Sequence, residues 1–479
     1  MPKKEAEASK TDRQKAKALE DRLLAKGVEP WQGHGTIGGK IEAVARSYAD
    51  FLDKARTERL CVAEAVRMAE EAGFKDIRGA HGKGGPSKVY AVIKDKAVML
   101  AVLGGRGLGE GVNLIGSHID APRIDLKQCP LYEDSDLALF KTHYYGGIKK
   151  YQWVAVPLSI HGVFAKKDGG TVSMSVGDGP DDPQFTITDL LPHLAQDQMS
   201  KKMSEAITGE GLNLLVGSVP FPGGSPAGKV KLGVMSALNG LFGIDEADFV
   251  SAELEVVPSF KTRDIGFDRG MIGGYGHDDR ACAFCSLKAL VGLKNPARTA
   301  VCLLTDKEEI GSTGNTGAES NMLENFLGRL CEMGGGRHED WRACLERSHA
   351  LSGDVNAGVD PNYDGVQDKR NTTYMGRGVV LQKYTGVRGK YGGSDANAEF
   401  LAKVRNCFDK AGVVWQAGEL GKVDNGGGGT IAMYQARYGM EVLDVGIPIL
   451  SMHSPFEVAS KYDLYMYHKC NEAFYASMA

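Results

Sequence analysis

No run in the 479-residue chain approaches the roughly 18 to 20 apolar residues that a membrane span requires. The start, Met1-Pro2-Lys3-Lys4-Glu5-Ala6-Glu7-Ala8, lacks the apolar core of a secretory signal. A basic excess is also missing: the formal charge is -4 and the isoelectric point is near 6.3, which argues against a phosphate-binding surface and so against nucleic acid as a partner. Nine scattered cysteines, an odd number, do not form the pattern of a disulfide framework. They suit a reducing compartment, so a cytoplasmic protein with no membrane contact is expected. Cys282-Ala283-Phe284-Cys285 is the single CxxC, and with no second pair to complete a zinc knuckle it reads as the buried face of a helix.

What is present is ordinary globular chemistry, 42% hydrophobic and 25% charged, in a chain longer than one hydrophobic core usually supports. Two domains are therefore expected. The first twenty-odd residues form a polar, loose or helical tail. Apolar residues at helical spacing cover residues 41–72, and residues 89–102 and 112–116 read as strands. The cluster Gly104 to Gly111 precedes a strand instead of opening a helix, so it is a turn and not a phosphate cradle. Residues 122–259 change texture to short β-type segments, such as 153–164 and 171–176, with one helical stretch near 190–206. Beyond Phe267, helices alternate again with buried strands, at residues 281–293, 299–305, 396–411, 430–436 and 442–449. Two discontinuous pieces, 1–121 and 260–479, would then build one α/β domain around a β-rich insert, 122–259.

Candidate chemistry collects where the buried strands end. Thr299-Ala300-Val301-Cys302-Leu303-Leu304-Thr305 leads into Asp306-Lys307-Glu308-Glu309, and active sites of parallel sheets lie at such carboxyl ends. Gly116-Ser117-His118-Ile119-Asp120 follows another apolar run; His118 offers an imidazole ligand, and Asp120 could accept its other ring N–H. His277-Asp278-Asp279 opens an apolar helix, where Asp is either an N-cap or a carboxylate shared by two metal ions. Asp354, and His453 after the run 442–450, complete a set of two His, two Asp and two Glu. A two-zinc hydrolase needs that inventory: N and O ligands, a shared carboxylate and a free carboxylate base. Mn or Co would also suit such donors.

These segments in this order, SHxDxP, DD before a helix, DxEExGS, SxDxxxxxxPNY over residues 352–363 and MHS, resemble the M18 family of aminopeptidases, whose founding activity is aspartyl aminopeptidase. The similarity covers nearly the whole chain. It implies a mixed sheet flanked by helices, of zinc-peptidase/phosphorylase type, with the insert acting as a dimerisation domain. It implies that His118 and Asp354 hold one zinc and Glu309 and His453 the other, with Asp278 bridging. Asp120 would orient His118, and Glu308 would take a proton from the attacking water and pass it to the leaving amine. The peptide after the bridging Asp is cis in relatives of this type, which points to Asp278-Asp279. Peptides would be the substrates, and dimers would assemble into a tetrahedral dodecamer with the active sites inside.

Departures from the pattern fall on the specificity pocket. Aspartyl-specific relatives carry a His where Asp197 stands, a His where Asp360 precedes Pro361, and a Lys where Gln382 stands, with Lys383 adjacent. Loss of positive charge weakens the expected preference for an acidic N-terminal residue. Gly426-Gly427-Gly428-Gly429 lacks the Lys of a nucleotide loop and is expected to line the substrate cleft, with Gly427 and Gly428 beside the substrate. Two other readings stay open: a metallohydrolase of different specificity, such as a carboxypeptidase or deacylase, and a non-catalytic assembly or peptide-binding protein.

Overall fold

The computed structural model describes residues 10–79, 85–225 and 228–478. Of the polar N-terminal tail, Lys10–Leu23 is a helix with no buried residue, and Met1 to Ala8 lie outside the described residues. No described helix is long and apolar enough to cross a membrane.

A nine-stranded mixed sheet forms the centre. Its order is Lys75–Asp76, Lys88–Ile93, Ala97–Val102, Thr299–Thr305, Val112–His118, His349–Gly353, Glu441–Gly446, Val379–Gln382 and Trp415–Ala417. The four strands from Thr299–Thr305 to Glu441–Gly446 run parallel, pairing Thr305 with His118 and Ser352 with both Gly116 and Asp444. Three of them are buried at every residue, because helices cover both faces. His277–Gly292 is one of those helices and buries thirteen side chains, Cys282 and Cys285 among them, as the CxxC reading requires. Gly39–Lys54 packs beside it through Ile41, Val44, Tyr48, Phe51 and Leu52, an i, i+3, i+4 stripe; the Phe51 and Phe284 rings lie 5.3 Å apart.

An antiparallel six-stranded sheet occupies the insert, in the order Thr171–Val176, Leu158–Ala165, Ala252–Pro258, Arg123–Asp134, Leu137–Tyr145 and Leu214–Gly217. Its core includes Phe140, Trp153, Ile160, Phe164, Phe249 and Val256. A small five-stranded sheet, Arg263–Ile265, Met271–Gly274, Glu457–Ser460, Pro448–Leu450 and Asn356–Ala357, lies at the end of the central sheet.

Local expectations change in three places. The helical region 41–72 is two helices, Gly39–Lys54 and Glu58–Glu71, parted at Arg56, whose guanidinium turns to the carbonyls of Pro258 and Phe260. The stretch near 190–206 is not one helix but short turns, Pro192–Leu194, Gln196–Met199 and Met203–Ala206; Leu190, Leu191, Leu194, Met199 and Met203 are exposed, so no buried stripe holds it together. The insert's long helix is instead Lys229–Phe242, which packs Val230, Val234, Leu238 and Phe242 onto the sheet at every fourth residue. The run 442–449 also divides. It is paired in the central sheet to Gly446 and joins the small sheet from Pro448, whose missing N–H cannot continue the ladder.

Candidate active site

Each central parallel strand delivers one piece of the site at its carboxyl end. Val112–His118 ends on His118, and Asp120 follows two residues later. Thr299–Thr305 leads into the one-turn helix Glu308–Ile310, and His349–Gly353 leads to Asp354. Glu441–Gly446 continues through Pro448–Leu450 to His453. Asp278 enters from the first turn of His277–Gly292, and its peptide bond to Asp279 is cis.

Five of these residues converge. His118 Nε2 is 3.2 Å from Asp278 Oδ1 and 3.9 Å from Asp354 Oδ1, while His453 Nε2 is 3.1 Å from Asp278 Oδ2 and 3.5 Å from Glu309 Oε1. Two groups could each hold a metal ion, His118 with Asp278 and Asp354, and Asp278 with Glu309 and His453, the ligand atoms of each group lying within 4.8 Å of one another. Glu308 belongs to neither group but lines the same cleft.

The donor set fits divalent metal. Burial pushes the carboxyls of Glu309 and Asp354 well above the usual range and Glu308 up to about 7. Burial also works against charge on His453, yet its hydrogen bond to Asp278 and the nearby Glu309 carry the imidazole up to about 10. So many acids in low dielectric demand a cation, and Glu309 Oε1 is buried with no hydrogen-bond partner. His277, in contrast, is fully buried against Tyr48, whose hydroxyl lies 2.7 Å from its Nδ1; desolvation pulls it down to about 3, so it is a structural neutral imidazole.

Asp120 does more than its HxD spacing foretells. The ring N–H at His118 Nδ1 is 3.0 Å from the Asp120 carbonyl and 3.4 Å from Oδ1. The carboxylate also accepts the backbone N–H of Glu308 on Oδ1 at 3.1 Å and that of Glu309 on Oδ2 at 3.2 Å. One buried Asp thus ties the His118 strand to the Glu308-Glu309 turn. Three supports escaped sequence reasoning. The Tyr145 hydroxyl donates to Asp120 Oδ2 at 2.8 Å, the Gly147 carbonyl lies 2.9 Å from His453 Nδ1, and Glu457 accepts the backbone N–H of Asp278 and of His453. Only Glu457 carried a usable signal, as an acid four residues beyond His453.

The cleft beside these residues has a volume of about 500 Å³ and is walled by Gln382, by residues 384–386 and 388–390, by Glu419, Leu420 and residues 422–424, and by Gly426 to Gly429. Gly427 has φ +105°, and a Cβ there would sit 2.1 Å from the Gly386 carbonyl, so the glycine run lets two cleft loops touch. Of the expected pocket residues, Gln382, Gly427 and Gly428 line the cleft, and Asp360 and Lys383 do not. Lys383 follows the buried Gln382 at the end of a strand and so turns to the other side, where it pairs with Asp395 at 2.7 Å. Asp360 accepts the backbone N–H of Asn362 in its own turn.

A family model described as aminopeptidase I zinc metalloprotease (M18) matches residues 51–475. The probable M18 family aminopeptidase 1 of Clostridium acetobutylicum is 48% identical over 431 residues, covering 89% of this chain and 93% of that protein. The crystal structure of an M18 aminopeptidase from Thermotoga maritima superimposes with a TM-score of 0.90 at 44% identity, over 95% of this chain and all of that one. The S. cerevisiae mApe1 dodecamer, 22% identical with a TM-score of 0.72 over 91% of this chain and 97% of its own, shares the fold. The chain belongs to the M18 family of aminopeptidase I zinc metalloproteases and is a metallo-aminopeptidase, a hydrolase that acts as an exopeptidase.

Proposed function

We propose that the chain removes the N-terminal residue of peptides at a centre for two metal ions, one held by His118 and Asp354, the other by Glu309 and His453, with Asp278 shared. The observation that carries this reading is the sharing itself: Asp278 faces His118 with one oxygen and His453 with the other. Zinc is the metal named for the family, and these N and O donors also accept Mn or Co. Bound divalent ions supply Lewis acidity, polarising the scissile carbonyl and making water a stronger acid. Glu308 is the general base: it takes the proton of the attacking water and returns it to the leaving amine. Asp120 positions it by holding the N–H groups of the Glu308-Glu309 turn.

Specificity follows from the cleft. Gln382 is uncharged, Lys390 is bound by Asp395, Lys422 donates to the Gly365 carbonyl and Arg388 is exposed to solvent, while Glu419 and Asp424 add negative charge to the walls. Among the described residues an acidic side chain therefore meets no buried cation in the cleft, and neutral or basic N-terminal residues are accepted. The test is product analysis of unblocked and N-acetylated peptides, with kcat/KM for aspartyl, glutamyl, leucyl and lysyl substrates. Residues should leave one at a time from a free N-terminus, the acetylated peptide should stay intact, and a chelator should stop the reaction. Cleavage from the other end or removal of the acetyl group overturns the aminopeptidase reading; clear dominance of aspartyl overturns the specificity alone.

Assembly is part of the same reading. The exposed apolar side chains of the insert, with Leu194 at 70%, Met199 at 76% and Met203 at 65%, suit burial against another copy, so the insert dimerises and dimers build a dodecamer. The mass in solution checks this, and a monomer overturns it. Nine free thiols, eight of them buried, suit a reducing cytoplasm.

A further inference from the structure

We infer that Tyr145-Gly146-Gly147, the strap that leaves the last paired residue of the insert strand Leu137–Tyr145, is a positioning element of the metal centre. This rests on the two-metal reading above. Three consecutive residues of the insert reach three different residues of the site. The Tyr145 hydroxyl donates to Asp120 Oδ2, the oxygen that also accepts the Glu309 N–H. Gly146, at φ +73°, lies flat against Glu309, and a Cβ there would be 3.3 Å from the Glu309 Cβ. The Gly147 carbonyl, which can only accept, takes the N–H at His453 Nδ1, so that Nε2, which faces Asp278 and Glu309, is the nitrogen that would bind a metal ion.

The strap is also anchored at its origin. Tyr145 pairs with Arg123, whose guanidinium lies 3.9 Å from the Tyr145 ring centroid and is held by Asp125 and Glu255 of the insert and by Glu58 of the helix Glu58–Glu71. That buried ion cluster joins the insert to the rest of the molecule directly behind the strap. The insert therefore has a second task besides any contact between copies. It fixes the ring orientation of His453 and the carboxylate of Asp120.

The experiment compares wild type, Tyr145→Phe, Gly146→Val and, as a control, His453→Ala. Zinc affinity is read by chelator competition, geometry by the absorption spectrum of the Co²⁺-loaded protein, catalysis by kcat and KM, and folding by the thermal midpoint of the metal-free protein. Partners that orient metal ligands are worth about 10- to 100-fold in affinity or activity. Tyr145→Phe should lower kcat by that factor with KM unchanged. Gly146→Val should weaken zinc binding by a similar factor and alter the Co²⁺ spectrum, in addition to the lowered metal-free midpoint that a β-branched residue at φ +73° causes by itself. Wild-type affinity, spectrum and kcat in both variants overturn the inference, as does a lowered metal-free midpoint with affinity and spectrum unchanged. If His453→Ala also binds zinc as wild type does, the two-metal reading fails and not the strap.

Discussion

Replacing Glu308 by glutamine leaves the metal content of the protein unchanged and lowers kcat by roughly 10²- to 10⁴-fold, the usual contribution of a positioned general base. The two parts of this outcome have separate causes. Glu308 is outside both groups able to hold metal, so losing its charge removes no ligand. The turn also keeps its shape, because the bond from Glu308 to Asp120 comes from the main-chain N–H, which glutamine retains. What disappears is a site for the proton. A carboxylate can take a proton and release it to an amine, which an amide cannot do at all. KM should change little, as expected when an interaction made only in the transition state is lost. Elemental analysis beside steady-state kinetics gives the answer. Turnover within tenfold of wild type would refute the role of base, and loss of metal would make Glu308 a ligand instead.

The convergence of these residues could be read ahead of the structure because several of them follow strands with an unmistakable texture. Residues 299–305 and 112–116 are mostly apolar runs on strands buried on both faces, and their ends mark where a parallel sheet collects chemistry. Asp278, Asp354 and His453 have weaker surroundings and became readable only as members of one ordered set. Main-chain supports stayed hidden. A carbonyl such as that of Gly147 carries no side-chain signature, and the segment holding it lies 306 residues from His453. The insert's helix Lys229–Phe242 had a signal in Val230, Val234, Leu238 and Phe242, but the exposed Leu and Met residues near 190–206 imitate an apolar stripe without a core to face. Asp360 and Lys383 show a different limit. The resemblance sets them beside the pocket, and in this chain neither lines the cleft, Asp360 accepting the Asn362 N–H and Lys383 pairing with Asp395.

Asp278 carries the second large effect, because it is the single residue common to both metal-capable groups. Its two oxygens face different imidazoles, and hydrogen bonds from His118 and His453 hold its carboxyl below the usual range against the opposing effect of burial. Asparagine keeps the size but offers one oxygen and no charge. Asp278→Asn should therefore weaken zinc binding at both groups together, by more than the 10- to 100-fold typical of an outer partner, and activity should fall with it. His453→Ala, by comparison, should spare the group built on His118 and Asp354. Heat makes the difference measurable without turnover. A ligand at about 100 times its dissociation constant stabilises the folded state by about 2.7 kcal/mol, and one whose affinity has dropped 100-fold contributes only about 0.4 kcal/mol at the same concentration. Zinc should raise the thermal midpoint of wild type by several degrees and leave that of Asp278→Asn nearly unmoved. Equal zinc-induced shifts in the two proteins would show that the centre does not share this carboxylate, and the two-metal assignment would have to be rebuilt around separate sites.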